Sequence, residues 1–133
     1  MSTRQREDLE YSVVKLENSL SRLRSGCNEA KAKLAEDGVI RRFKLTFELF
    51  WKALKLFLRE EGVEARTPRD VFKEAFKLEW FDNEELFLNM LEDRNKTSHI
   101  YDSKTSREIF QRVKKDYVSA IEKILLRLKT KIA

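Results

Sequence analysis

Apolar residues recur along this chain at alternating steps of three and four, the period of one face of an α-helix. Leu9, Val13, Leu16, Leu20 and Leu23 make the first such stripe, which predicts a helix from about Arg4 to Arg24. Cys27, Ala30 and Leu34 continue the rhythm past Gly26, and Asp37-Gly38 then reads as punctuation. The next stripe is the widest. Val39, Phe43, Phe47, Phe50, Leu54 and Phe57 share one face, with Ile40, Trp51 and Leu58 beside it. That width predicts a central helix over about Val39 to Glu61, touched on more than one side, with Gly62 as its stop.

Thr67-Pro68 has the chemistry of a helix start, a hydroxyl cap followed by a proline whose missing N–H costs nothing in the first turn. Val71, Phe72, Ala75 and Phe76 give the third helix its buried face. Asp82 with Glu85 three residues on resembles a capping box for a fourth helix burying Leu86, Phe87, Met90 and Leu91. Caps around Ser103 to Ser106 open a fifth, with the stripe Ile109, Val113, Tyr117, Ile121, Ile124 and Leu128. The expected fold is all-α, an antiparallel four- to five-helix up-and-down bundle, with residues 1–133 as one domain.

Composition narrows the function classes. Three glycines and one proline in 133 residues are too few for an all-β domain. A lone cysteine, Cys27, excludes an internal disulfide and suits a reducing cytoplasm. The charged stretch from Arg4 to Glu10 is unlike a signal peptide, and the longest apolar runs are too short to span a membrane. The net charge of +5 is unevenly spread. Residues 38–59 and 102–133 are basic, whereas residues 69–93 are acidic. Such a chain suits a polyanion on one side and a basic partner on another, or simply solvated helix faces.

Most catalytic templates fail. The chain has no glycine-rich phosphate loop, no cysteine pair and no second histidine for a metal. The aromatic stripes are spaced as core, not as base-stacking platforms. One run stands apart: Asp93 to Asp102, ten residues with a single aliphatic one, Ile100, and the only histidine, His99. On a continuous helix Asn95 and His99 share a face, while Arg94 and His99 lie about 140° apart. The arginine must then reach round, or the helix must end between them. A lone histidine near a helix C-terminus is also an ordinary structural residue.

Arg94, Asn95, His99 and Tyr101 spell R-N-x3-H-x-Y, which resembles the signature of the HEPN superfamily. It is most similar to the superfamily's nucleotidyltransferase substrate-binding proteins. The stretches Asp37 to Phe43 and Thr46 to Lys52 resemble the second helix of that subfamily. Thr67 to Val71 with Glu74 to Phe76 resembles the third, and Met90 to Asn95 with Thr97 to His99 carries the most specific run. The resemblance covers about residues 5–130 and departs from the pattern in a longer connector, Ser25 to Glu36.

The resemblance implies a helical bundle that forms a homodimer and is encoded beside a minimal nucleotidyltransferase. In many such pairs the helical member is a metal-independent ribonuclease toxin without a cofactor, and the nucleotidyltransferase is its antitoxin. Arg94 and His99 are then the catalytic pair, Asn95 supports them, and Tyr101 takes AMP from the partner. Lys96 and Lys104 are candidate contacts to RNA phosphate, or plain solvated charges. The chemistry is coherent. Imidazole titrates near neutrality and serves as acid or base, and a guanidinium forks two phosphoryl oxygens. One histidine cannot readily do both jobs, so a two-fold dimer placing two around one phosphate is expected. Two other readings stand beside this one. In the first, the chain is a non-catalytic docking subunit that helps the nucleotidyltransferase hold its substrate, with the acidic third and fourth helices as partner surface and the motif as a nucleotide-binding site. In the second, it is a purely structural bundle.

Overall fold

The computed structural model describes residues 1–30, 32–99 and 102–133, with Lys33 by its backbone alone. Among the described residues there is no strand, and the helices run α1 (Thr3–Glu29), α2 (Lys33–Glu60), α3 (Pro68–Lys77), α4 (Glu84–Lys96), α5 (Ser103–Arg112) and α6 (Val118–Ile132). A π-helical turn, Val113–Tyr117, joins α5 to α6 without leaving helical backbone. The last two are therefore one rod with a wide turn in its middle, and the chain makes an all-α bundle of five rods.

Each start has a chemical cause. Ser2 and Gln5 form a capping box on α1, and Thr67 caps α3 with Pro68 in its first turn. The cap of α4 falls on Asn83, which accepts from the Leu86 N–H at 3.1 Å, one residue after the expected Asp82. Asp102 caps α5 through the Thr105 N–H at 2.7 Å.

The long connector expected between the first two helices is absent. α1 runs through Gly26 to Glu29, and α2 begins at Lys33, well before Val39. Gly26 does not break α1; it lets α2 come close. A methyl group there would meet Arg42 Nη1 at 2.8 Å and Val39 at 3.3 Å. Asp37-Gly38 lies inside α2 because its acids have partners. Glu36 is buried against Arg107 at 3.0 Å, and Asp37 accepts from the Ser106 hydroxyl at 3.2 Å.

Ion pairs and a hydrogen bond fix the direction of the outer rods. Arg6 donates to the Ile132 carbonyl, Glu17 pairs with Lys129, and Arg24 with Glu122. Numbers rise along α1 as they fall along α6, so the two are antiparallel. The core is aromatic. The Phe72 ring centre lies 5.7–5.9 Å from those of Phe47, Phe50 and Phe87, Phe50 and Phe87 are 5.8 Å apart, and Phe43 stacks on Tyr117 at 5.7 Å. Such offset and tilted pairs are favourable beyond the area they bury. The stripe residues of α2, Val39 to Phe57, are all buried, as the pattern predicts. So are Ile109, Val113, Tyr117, Ile121, Ile124 and Leu128 of the last rod.

Candidate functional site

The polar run lies where α4 ends. Regular α-helix stops at Lys96 and tightens into a 3-10 turn, Thr97–His99. Thr97 drives the change: its N–H reaches the carbonyls of the last turn, and its hydroxyl donates to the Arg94 carbonyl at 2.6 Å. The helix therefore does end between Arg94 and His99. Ile100 and Tyr101 lie outside the described residues, and with them the residue expected to be modified.

Arg94 leans away from this turn toward α2. Its guanidinium forms an ion pair with Glu48, donates to Asn95 Oδ1 at 3.2 Å, and sits 5.8 Å from the centre of the Phe47 ring. Its Nε is buried and, among the described residues, has no hydrogen-bond partner. Arg94 is 32% exposed, whereas His99 is open to solvent. Arg94 and Asn95 are thus brought together directly. His99 stands one tight turn beyond, and the hydrogen bonds of Arg94 go to Glu48 and Asn95.

Lys96 and Lys104 are both exposed, and Lys96 lies 3.9 Å from Glu92. Asp102 ends the run fully exposed, its carboxyl held below the usual range first by the Thr105 N–H and then by the Thr105 hydroxyl.

Asp93, the first residue of the run, has the opposite fate. It is 3% exposed, and both its oxygens are taken. Arg112 Nε donates to one at 2.7 Å and Nη2 to the other at 2.9 Å, while the Tyr117 hydroxyl adds a third donor. The bidentate bond to Asp93 raises the Arg112 pKa further. Burial, then the bond to Asp93, pushes the Tyr117 phenol well above its ordinary value. A polar groove of about 350 Å³ opens beside this triad, between Asn89, Lys96 and Asp116.

Sequence reasoning gave no site role to Glu48, Asp93, Arg112 or Tyr117. A signal existed for Glu48, the single acid among residues 38–59, placed to meet a basic side chain from outside α2. Among the described residues no cluster of three or more His, Cys, Asp or Glu is placed to hold a metal. No helix of the described residues is long and apolar enough to cross a membrane.

Comparison with known proteins agrees with this architecture. The family model described as nucleotidyltransferase substrate binding protein like matches residues 7–130. A crystal structure from Thermus thermophilus is 36% identical with a TM-score of 0.81, covering 86% of this chain and 98% of that one. A Haemophilus influenzae structure, described as revealing the fold of a substrate binding domain of a nucleotidyltransferase, is 19% identical with a TM-score of 0.67. It covers 93% of this chain and 98% of the other, and at that identity the likeness is one of fold. No curated protein matches the sequence.

Proposed function

The chain belongs to the nucleotidyltransferase substrate-binding-protein-like family, and on that premise we propose that it is the substrate-binding partner of a nucleotidyltransferase. The end of α4 is where it meets the ligand. The observation that carries this reading is Arg94, a guanidinium seated on the Phe47 ring and steadied by Glu48 and Asn95, yet a third open to solvent. A planar fork so prepared suits a phosphate or carboxylate, which displaces or shares the Glu48 contact. The acidic stretch of residues 69–93 serves as the face for a basic partner. The test uses the chain with the nucleotidyltransferase encoded beside it. Complex formation should survive Arg94→Ala, whereas nucleotidyl transfer in the complex should fall. A nucleotidyltransferase that neither binds the chain nor changes rate in its presence removes this reading.

A second reading is favoured by the polar run itself, which sets Arg94 in the last turn of α4 and His99 in the 3-10 turn that follows. Here the chain is a HEPN-type, metal-independent endoribonuclease toxin of the cytoplasm, acting as a homodimer. One imidazole takes the proton of an RNA 2′-hydroxyl, whose oxygen attacks phosphorus. The bond to the 5′-oxygen breaks, and the second protomer's imidazolium protonates that oxygen. The products are a 2′,3′-cyclic phosphate and a 5′-hydroxyl. Arg94 and Asn95 steady the charged phosphoryl oxygens, with Lys96 and Lys104 on flanking phosphates. The Tyr101 hydroxyl attacks the α-phosphorus of ATP held by the partner, giving up its proton as pyrophosphate leaves, and the AMP so joined adds a negative charge and a base that silence cleavage. His99→Ala should lower cleavage roughly 10²–10⁴-fold, and cleavage should survive EDTA. Tyr101→Phe should cleave normally but escape the partner. RNA left intact by the purified chain, with no growth arrest on its expression alone, separates the first reading from the second.

A further inference from the structure

We propose that Asp93, Arg112 and Tyr117 form a clamp that positions Arg94, so that two buried groups and a half-buried arginine set the geometry of the ligand site without touching the ligand. The proposal rests on the reading of Arg94 as the residue that binds phosphate. Asp93 and Arg94 are neighbours on the last turn of α4 and point about 100° apart. Asp93 faces the last rod, where three donors take up its two oxygens. Arg94 faces α2, where Glu48 and Phe47 receive it. They share a peptide unit, so the rotation of this turn about the helix axis is fixed by the clamp, and the reach of Arg94 toward α2 is fixed with it.

The π turn makes the clamp possible. In a continuous α-helix Arg112 and Tyr117, five residues apart, point about 140° away from each other and cannot serve one carboxylate. The wide turn Val113–Tyr117 lies between them, closed by the Val118 N–H on the Val113 carbonyl, and brings both side chains onto Asp93. π turns of this kind recur at functional sites in other proteins. A carboxylate so deep in the bundle is costly to bury. Stability alone would be served as well by an apolar contact, whereas an ion pair with a bidentate fork fixes an angle.

The test follows Arg94 itself, in the full chain labelled with ¹⁵N-arginine. In the parent, the buried Arg94 Nε–Hε gives a protected cross-peak. Tyr117→Phe keeps the ring that stacks on Phe43 and removes one donor; Asp93→Asn removes the charge. Both should move the Arg94 cross-peak and strip its protection while helix content by circular dichroism stays at the parental value. AMP, titrated as a phosphate-bearing probe, should bind the variants about tenfold more weakly, the lower range for loss of groups that orient a metal-contacting side chain. If Asp93→Asn does not fold, Tyr117→Phe decides alone. An unmoved Arg94 cross-peak in folded Tyr117→Phe reduces the triad to a stability element and overturns the proposal. AMP that leaves Arg94 unmoved in the parent chain overturns instead the reading of Arg94 as the phosphate site, while the cross-peak still decides whether the clamp positions it.

Discussion

Asp93 and Arg94 are adjacent, both charged, and both at the C-terminal end of α4, yet they lead opposite lives. Asp93 is sealed in the bundle with every acceptor satisfied. Arg94 lies at the edge, with one buried nitrogen lacking a partner among the described residues and a third of its side chain in water. The difference follows from 100° of helix rotation. A polar run at the end of a helix is therefore two surfaces. One faces inward and works by being held still; the other faces outward and is available for chemistry.

Breaking the inward side should have the largest effect. Asp93→Ala leaves the buried Tyr117 hydroxyl without its acceptor and the half-exposed Arg112 without its carboxylate partner. Leaving a buried hydroxyl unsatisfied costs about 1–3 kcal/mol, and water screens the loss at the half-exposed arginine. Chemical denaturation should register a loss of that size. A loss under about 1 kcal/mol would place Asp93 with ordinary surface ion pairs and dissolve the contrast with Arg94.

A gentler cut on the same side is Tyr117→Phe, which removes one hydrogen bond and keeps the ring. A cost of about 0.5–1.5 kcal/mol is expected at neutral pH. Its pH signature is more telling. Unfolded, a tyrosine loses its proton near pH 10, whereas the folded phenol, raised by burial and by Asp93, keeps it to higher pH. The contribution is thus fully present below about pH 10 and is lost as pH climbs toward the folded value. The melting temperature of the parent should fall more steeply above pH 10 than that of the Phe variant. Parallel curves would mean that Tyr117 titrates as freely folded as unfolded.

On the outward side, Arg94→Ala should cost at most about 1 kcal/mol of stability, since its ion pair with Glu48 is partly solvated and screened. Its effect belongs to function: transfer by the partner enzyme, or RNA cleavage, should collapse while the melting temperature barely moves. Large unfolding with function intact would exchange the roles of the two residues.

Much of this is legible in the residues. The stripes of α2 and of the last rod, the Thr67-Pro68 start and the polar run ending α4 all follow from local periodicity and capping. The failures have physical causes. Asp37-Gly38 reads as a break, but Glu36 and Asp37 find partners on α5, which no local rule foresees. Tyr117 reads as an ordinary stripe residue. Its stripe nevertheless holds a clue. Ile109, Val113, Tyr117 and Ile121 advance by four, four and four, a drift of about 120° on a straight α-helix that a π turn takes up. The pairing of Arg94 with Glu48, 46 residues apart, needs the tertiary fold.

Lys96 and Lys104 should give the smallest effect, and they sharpen the contrast from its far end. Both side chains are exposed, and the contact of Lys96 with Glu92, 3.9 Å away one turn back, is solvated. Neither holds the bundle together, so Lys96→Ala and Lys104→Ala should each leave stability within about 0.5 kcal/mol of the parent. If they touch phosphates of a single-stranded nucleic acid, each releases condensed counterions on binding. The slope of log K against log salt should then become shallower by about 0.7 for each lysine removed. Measuring RNA affinity by fluorescence anisotropy across a salt series isolates that slope from any change in base recognition. An unchanged slope in both variants would return the two lysines to the solvated face of the helix ends. Arg94, Asn95 and His99 would then be the whole of the outward surface.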